Sequence, residues 1–347
     1  MIKAGIAGVG FMGWIHYLAY QRSTQAKLAA FCTRDSRKRS GDWRGIKGNF
    51  GPPGEQIDVS ALQVYDTLES MLDDPSIDLI DICLPPHLHV DAALKSLAAG
   101  KHVLCEKPLG LDTNQCDQIL AASQKYNRSV LVAQVLPYMG QYEYVYKAVA
   151  EGTLGKALSG YFKRIISPPD WIPDFYDLKR IGGPLIDLHV HDMHFVRMVF
   201  GMPRRVMCTA AMKDGVVKFC HCLLEFDDSQ TIVATSSGVQ DQTSRPFTHG
   251  FEMVFEKGTV QFELAVLSDG LDIMPLKIMT TDGKILRPEL PGADDISAFA
   301  NEIDDAVTSI RQGKPQRRLD GQVARDAIHI CHCLQLSAQS RGWVNCQ

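Results

Sequence analysis

The sequence predicts an α/β protein in which a doubly wound parallel sheet is followed by a second α/β domain with a large, mostly antiparallel sheet. In the first third of the chain, short apolar runs alternate with helical patterns, which is typical of βαβ units. Beyond about residue 130, strand-like runs follow one another with turns between them, which favours antiparallel pairing with one open face. A length of 347 residues indicates two domains, which we place at residues 1–128 and 129–347.

The composition is that of a globular protein with an ample core. Hydrophobic residues make up 45% of the chain and charged residues 22%, with a formal net charge of -4. There is no basic stripe, so we expect no nucleic-acid partner, and we interpret the run Arg37-Lys38-Arg39 as a solvated loop or helix start rather than as a phosphate contact. The opening MIKAGIAGVG predicts a strand rather than an export signal, and no apolar run approaches the ~20 residues of a membrane span. We therefore expect a cytoplasmic protein with no membrane partner.

The ten cysteines do not form a recognisable framework. Two Cys-His-Cys triplets, at 220–222 and 331–333, differ from the C-x₂₋₄-C spacing of structural zinc sites. We expect reduced thiols that pack in the core.

The elements of the first domain are predicted by apolar runs, capping residues and glycines. In chain order they are a strand in KAGIAGVG, a helix from Gly13 to about Ser23, a strand in KLAAFCT, a long surface loop in SGDWRGIKGNFGPPGEQ, a helix in DTLESMLDD with Asp66 and Glu69 at capping-box spacing, a strand in IDLIDICL, a helix in HVDAALKSLAAG, a strand in HVLCEKPL, a helix ending near Asn127, and a strand in SVLVAQVL.

The second domain begins with a helix in GQYEYVYKAVAEG and a strand in ALSGYFKRII. A helix over 184–200 follows, because proline starts it and Gly201 comes just after its end. Strands are then predicted in RVMCTAAM, VVKFCHCLLEF, QTIVATSSGV, GFEMVFEKGTVQFEL and LKIMTT, with a hairpin corner at 255–258. Two amphipathic helices end the chain.

The glycine cluster Gly8-Val9-Gly10-Phe11-Met12-Gly13 fits the pattern G-x-G-x-x-G. The first glycine permits a tight turn, the second lets the backbone approach a pyrophosphate, and the third lets helix and strand pack closely. Because the cluster lies between a predicted strand and a predicted helix, it indicates a Rossmann domain that binds NAD or NADP.

The choice between the two nucleotides depends on the end of the second strand, where an acidic residue would bond the adenosine ribose. The sequence has Thr33 at that position, followed by Arg34 and Asp35. Arg34 suits a 2′-phosphate or the adenine ring, whereas Asp35 reaches the ribose only if the register shifts. This pattern favours NADP.

Two further segments bear candidate catalytic groups. Lys107, in Glu106-Lys107-Pro108, follows the fourth strand, and ligands bind beyond the carboxyl ends of parallel strands. On the predicted helix 184–200, Asp187, His191 and His194 fall within roughly 60° of one another at about 100° per residue. A proton relay, a zinc site with an open position, and buried histidines bonded to the backbone all fit that stripe. We assign no metal to it, because hydride chemistry needs none.

Three stretches in this order resemble the glucose–fructose oxidoreductase/inositol dehydrogenase (Gfo/Idh/MocA) family: GIAGVGFMG, CLPPHLHVDAALKSLAAGKHVLCEKPLGLD and GGPLIDLHVHDMHFVRMVFG. The resemblance covers the whole chain. It implies a Rossmann domain, a C-terminal domain whose open sheet face forms dimers or tetramers, and NAD- or NADP-dependent chemistry at a carbinol carbon of sugars, inositols or related cyclic alcohols.

The resemblance also implies roles for single residues. Lys107 matches the catalytic lysine of an E-K-P motif, Asp187 and His191 match a D-x-x-x-H helix, and the cofactor side is matched by Pro85, His89 and Glu106. In two places the sequence departs from the family pattern. His189 and His194 replace a glycine and an aspartate on the helix, and Pro137 stands where an arginine is common.

We therefore expect hydride transfer in which His191 takes the hydroxyl proton, Lys107 stabilises the alkoxide, and Asp187 holds the substrate or the lysine. His194 contacts the substrate in this scheme, and Trp171 and Tyr176 are candidate pocket walls, although loop packing explains them equally well. Two alternatives stay open: a glycoside hydrolase or lyase that oxidises its substrate transiently, and a nucleotide-binding sensor without catalysis.

Overall fold

The computed structural model describes residues 1–48, 50–169, 172, 174–290 and 294–347. Within them the chain forms two compact units, Met1–Met139 with Gly292–Arg325 and Gly140–Pro291 with Asp326–Gln347. The division into domains at residue 128 stays a prediction.

The strands are β1 (Ile2–Ala7), β2 (Ala26–Cys32), β3 (Gln63–Tyr65), β4 (Leu79–Ile82), β5 (His102–Glu106), β6 (Val130–Ala133), β7 (Ala157–Ile166), β8 (Arg205–Lys213), β9 (Val216–Glu225), β10 (Ile232–Val239), β11 (Phe247–Phe255), β12 (Gly258–Leu267), β13 (Gly270–Thr280), β14 (Ile285–Leu286) and β15 (Val344–Asn345).

The α-helices are α1 (Phe11–Tyr20), α2 (Ser36–Arg39), α3 (Leu68–Leu72), α4 (His89–Ala98), α5 (Thr113–Tyr126), α6 (Gly140–Glu151), α7 (Val190–Phe200), α8 (Asp295–Gln312) and α9 (Gly321–Ser340). None of the helices in the described residues combines the length and the apolar character that a membrane crossing requires.

The first unit contains a parallel sheet in the order β3-β2-β1-β4-β5-β6. This order is that of two βαβαβ halves that meet between β1 and β4, where dinucleotides bind at the carboxyl ends of the strands. The predicted doubly wound fold is confirmed. Helix α8 packs against α1 within the same unit, an arrangement that no sequence pattern indicated.

Two local predictions in the first unit need correction. Helix α3 is capped by Thr67, whose hydroxyl accepts the N–H of Ser70 at 3.2 Å, so the predicted Asp66–Glu69 capping box is one residue out of register. The loop predicted to lie on the surface over residues 40–56 contains Trp43, whose side chain is fully buried. Its ring packs edge-on against Phe31 at 5.3 Å and fixes the loop to the core.

The second unit contains a sheet in the order β14-β13-β12-β11-β7-β10-β9-β8-β15, in which β7 and β10 are parallel and the other neighbours antiparallel. The predicted hairpin corner is confirmed, because Phe255 pairs with Gly258. Phe162 and Phe251 are buried on one face, where Tyr142 of α6 packs edge-on against Phe251 at 4.9 Å. The opposite face exposes apolar side chains, as in an open-faced sheet.

Candidate functional site

The glycine turn after β1 has the geometry that a dinucleotide requires. Gly8 has φ +100°, and a Cβ there would meet the carbonyl oxygen of Cys83 at 2.9 Å. A Cβ on Gly13 would come within 2.2 Å of the carbonyl oxygen of Gly8, so only glycine lets α1 pack this closely on the turn. A Cβ on Gly10 would meet nothing within 4 Å, and no side chain caps the helix N-terminus. The space before Phe11, Met12 and Gly13 therefore suits a pyrophosphate.

The segment after β2 is positively charged on its outside. Arg34 is exposed, Thr33 is half-buried, and Asp35 caps the short helix α2 by accepting the N–H of Arg37 at 2.9 Å. Partial burial alone would raise the pKa of Asp35, but hydrogen bonds from the backbone N–H groups of Arg37 and Lys38 lower it. Its carboxylate is thus already engaged by backbone donors.

Lys38 connects this segment to the glycine turn. Its ammonium donates to the carbonyl oxygen of Val9 at 2.7 Å, and the side chain is half-buried. The run Arg37-Lys38-Arg39 lies in the short helix α2, in agreement with the predicted helix start, but Lys38 is half-buried rather than solvated. The basic residues of α2 lie at the edge of the predicted nucleotide site.

His89 braces the turns after β4 and β5. Its Nδ1 lies 2.7 Å from the carbonyl oxygen of Pro108, and its Nε2 lies 2.7 Å from that of Leu84. Burial lowers the pKa of His89, while the two carbonyl acceptors act in the opposite direction. Pro85, which precedes His89 in this turn, is exposed. The structure thus gives His89 a task in positioning the backbone around Lys107.

The carboxylate of Glu106 is the centre of a buried network that the sequence did not indicate. Its Oε2 accepts the backbone N–H of Lys107 at 3.0 Å, and its Oε1 lies 3.0 Å from Nε2 of His16 in α1. The other ring nitrogen of His16 lies 2.8 Å from Oδ2 of Asp81, in β4. Lys107 itself is half-buried at the carboxyl end of β5.

Charge within this network stabilises the imidazolium form of His16. Burial alone would lower the pKa of His16, but the carboxylate of Asp81, by charge and by hydrogen bonding, raises it well above its usual value of 6.5. Glu302 of α8 is buried in the same unit and lacks a hydrogen-bond partner for either oxygen among the described residues. Burial raises the pKa of Glu302 well above its usual value of 4.5.

The helix predicted over 184–200 has a different first turn from the one expected. Leu185–His189 form a π-helical turn, and α7 continues from Val190. Because a π-turn is wider than an α-turn, the even spacing assumed for the stripe does not hold through its first half. Asp187 and His191 are half-buried, whereas His189 and His194 are buried.

A buried ion pair fixes this helix to the sheet. Arg164 of β7 donates from Nε and Nη2 to the two oxygens of Asp192, both at 3.0 Å, and both side chains are nearly inaccessible. Charge and hydrogen bonds from Arg164 lower the pKa of Asp192 against the opposing effect of burial. Breaking such a pair costs more than its formation contributes, so it holds α7 in one position.

The predicted site residues fall into two groups, one in each unit. The first unit brings together the glycine turn, Arg34, His89, Glu106 and Lys107 at the carboxyl edge of the parallel sheet. The second unit places Asp187, His191 and His194 on one helical segment.

Three predicted positions lie beside these groups. Tyr176 is half-buried in the second unit under the ammonium of Lys213, which is 4.3 Å from its ring centroid. Trp171 lies outside the described residues. Pro137 is buried in a 3₁₀ turn before α6. The guanidinium carbon of Arg318 lies over the ring of the neighbouring Tyr138, 4.0 Å from its centroid.

Two models of known protein families match this chain. Residues 2–134 match the model of an oxidoreductase family with an NAD-binding Rossmann fold, and residues 142–261 match the Gfo/Idh/MocA C-terminal domain. The chain belongs to the Gfo/Idh/MocA family of oxidoreductases. The family predicted from the sequence is thus confirmed.

The relatives of this Gfo/Idh/MocA protein include inositol 2-dehydrogenase of Rhizobium meliloti, 27% identical over 322 residues that cover 90% of this chain and 89% of the relative. An uncharacterised oxidoreductase of Rhizobium meliloti is 35% identical over 167 residues, but the match spans only 47% of this chain and 49% of the relative. Levoglucosan dehydrogenase, solved with NADH and L-sorbose, has the same fold with a TM-score of 0.79 at 18% identity, covering 100% of this chain and 99% of that one.

Replacing His16 by leucine is expected to lower the free energy of unfolding by about 3–5 kcal/mol, because two buried carboxylates lose their shared partner. The folded-state pKa of His16 is raised above the unfolded value of 6.5, so its contribution is complete below that pH and is lost as the pH rises through the folded pKa. Urea unfolding of both proteins across neutral and alkaline pH measures the difference.

The matched control for this prediction is His87→Leu, since His87 is exposed. It is expected to change the free energy of unfolding by no more than about 0.5 kcal/mol. Equal losses in the two variants, or a His16 effect that grows with pH, would contradict the prediction.

Proposed function

We propose that this protein transfers a hydride between a nicotinamide nucleotide and a carbinol carbon of a sugar, inositol or related cyclic polyol. The observation that carries the proposal is the carboxyl edge of the first unit's sheet, which holds both a glycine turn that suits a pyrophosphate and a lysine whose backbone N–H is bonded to Glu106. The second unit supplies the Asp187 and His191 pair on a helix fixed by Arg164. Family membership and the names of the relatives support the substrate class.

Each residue has a separate task in this proposal. The bound nicotinamide supplies the hydride acceptor or donor. His191 takes the proton from the substrate hydroxyl during oxidation and returns it during reduction. Lys107 stabilises the negative charge that develops on the same oxygen. Asp187 holds substrate hydroxyls or the lysine, and His194 contributes to substrate contact.

Lys107→Ala is expected to lower kcat by about 10³-fold, the range for loss of a positioned proton-handling or charge-stabilising group. Nucleotide affinity should stay close to that of the wild type, because the pyrophosphate contacts the glycine turn. Stopped-flow turnover and nucleotide fluorescence titration measure the two effects. Lys125→Ala, at an exposed lysine of α5, is the control and should leave both unchanged. Full turnover by Lys107→Ala would remove the lysine from the proposal.

Net redox chemistry distinguishes this function from its alternatives. In a panel of inositols, aldoses and anhydro sugars, the absorbance of reduced nicotinamide should change in proportion to substrate consumed. Product formed without a net change in that absorbance would indicate transient oxidation by a hydrolase or lyase. Nucleotide binding without turnover of any substrate would indicate a sensor.

We also propose NADP as the preferred nucleotide. At the end of β2 the residue is Thr33 rather than an acid, Arg34 is exposed, and Asp35 is engaged as the cap of α2. A 2′-phosphate beside Arg34 would therefore meet positive charge and no free carboxylate.

Arg34→Ala is expected to lower the ratio of kcat/KM for NADP to that for NAD by roughly 10–100-fold, since a charge-assisted hydrogen bond contributes about 1.5–3 kcal/mol. Steady-state kinetics with both nucleotides measure this ratio. Arg44→Ala, which removes another exposed arginine of the first unit, should leave it unchanged. An unchanged ratio in Arg34→Ala would rule out this preference.

The proposed organisation has a nucleotide domain at 1–128 and a substrate and assembly domain at 129–347, in a cytoplasmic homodimer or homotetramer. All ten cysteines are free, which suits a reducing compartment. The open face of the second sheet exposes Tyr161, Leu223, Ile232 and Val254 on neighbouring strands. Contiguous apolar surface of this kind is typical of an interface, and we assign it to a second copy of the chain.

Ile232→Lys is expected to convert the assembled protein to monomers without loss of secondary structure, because it places a charge in this face. Light scattering coupled to size exclusion, together with circular dichroism, measures both. A monomeric wild-type protein would contradict the assignment.

A further inference from the structure

Three thiols converge on the inner face of the second unit's sheet. Cys220 and Cys222 are two residues apart on β9, and side chains two apart on a strand point to the same face. Cys208 lies directly opposite Cys222 on β8. The Sγ of Cys222 is 3.3 Å from that of Cys208 and 3.7 Å from that of Cys220, and all three sulfurs lie within 4.8 Å of one another.

This convergence revises the interpretation of the first Cys-His-Cys triplet. The triplet lacks the knuckle spacing of a zinc finger, but a strand brings its two sulfurs together and the neighbouring strand adds a third. The intervening His221 points to the other face, where its Nδ1 lies 2.7 Å from the hydroxyl of Ser236. The thiols are core residues, as expected, and they are also a cluster.

The cluster has the dimensions of a metal-thiolate site. At a metal–sulfur distance of about 2.3 Å, tetrahedral or trigonal coordination separates the sulfurs by roughly 3.8–4.0 Å. The observed separations lie around that value and are far longer than the ~2.05 Å of a disulfide. The three side chains are at most 3% exposed, and the buried hydroxyl of Ser337 in α9 accepts the backbone N–H of Cys208 at 2.8 Å.

A buried imidazole lies over the same sheet face. Nε2 of His189 is 3.1 Å from the hydroxyl of Thr235, and Thr235 pairs directly with Cys222 across β10 and β9. His189 is 1% exposed, and the hydride-transfer proposal gives it no task. Its ring nitrogens do not belong to the group of ligand atoms within 4.8 Å of one another, which holds the three sulfurs alone, so His189 could reach an ion there only by leaving Thr235.

We propose that Cys208, Cys220 and Cys222 form a buried site for a thiophilic metal ion with a filled d shell, Zn²⁺ or Cu⁺. Zn²⁺ would need a fourth ligand, which His189 could supply if its ring turned from Thr235 toward the sulfurs, while Cu⁺ would be held by the three sulfurs alone. Binding releases the thiol protons to solvent and changes no oxidation state. Because His189 lies in the turn between Asp187 and His191, an ion there would fix that turn to the sheet.

The test uses metal-depleted, fully reduced full-length protein titrated with Co²⁺, a spectroscopic substitute for Zn²⁺, and separately with Cu⁺ against a chromophoric Cu⁺ chelator. We expect one equivalent per chain, with thiolate-to-metal charge-transfer absorption. Cys222→Ser should abolish the tight site. Cys116→Ser removes a buried thiol in α5 of the first unit and is the control that should retain it.

His189→Gln distinguishes the two ions. It should weaken Co²⁺ binding by at least about tenfold if the site takes Zn²⁺, the range seen when a supporting ligand contact is lost, and should leave Cu⁺ binding unchanged if the site takes Cu⁺. Wild-type protein that binds no more of either ion than Cys222→Ser would overturn the proposal.

X-ray absorption on the metal-loaded wild type keeps the test independent of whether a variant folds. A shell of about three sulfurs near 2.3 Å is expected. A first shell made only of oxygen and nitrogen, or a Cys208–Cys222 disulfide in peptide maps of the freshly isolated protein, would overturn the site.

Discussion

The two bonds of the Glu106 carboxylate are the constraint on which the nucleotide-binding unit depends. One oxygen holds the backbone of Lys107, and the other meets His16 on the helix that begins at the glycine turn. The Glu106 carboxylate therefore connects the predicted catalytic lysine to the helix that begins at the predicted pyrophosphate position. Because Asp81 holds the far side of His16, neither carboxylate is buried without a partner.

In the second unit, a buried ion pair holds the helix that bears the candidate catalytic residues. A wide sheet presents Arg164 from its inner face, and the ion pair with Asp192 fixes the helix that bears Asp187 and His191. Asp187 lies within the π-helical turn Leu185–His189, which directly precedes α7. π-turns occur frequently at functional sites, which agrees with the role proposed for this segment.

Much of the fold could be predicted because it depends on local signals. The parallel strands, the glycine turn and the hairpin at 255–258 follow from apolar runs and glycines whose physical reasons are visible within a few residues. The chemistry at the strand ends was accessible in the same way, since Lys107 directly follows an apolar run.

What could not be predicted depends on contacts between distant residues. His16 is 90 positions from Glu106, and nothing in an apolar helix marks it as the partner of a carboxylate. Trp43 lies in a stretch rich in glycine and proline, whose composition indicated a surface loop, but its ring fills the core. The three-thiol cluster has no local sequence signal, because its Cys-x-Cys spacing differs from that of a zinc knuckle and the sheet register that joins Cys208 to Cys222 is a tertiary property.

The proposed hydride transfer requires that Lys107 and His191 act on the same substrate oxygen. A double-mutant cycle in kcat/KM tests it most directly, with Lys107→Met, His191→Gln and the double variant assayed on one substrate and one nucleotide. Groups that act as a unit give a double variant about as impaired as the worse single variant, and that is the result expected here. A double variant whose loss equals the product of the two single losses would show independent sites and contradict the account.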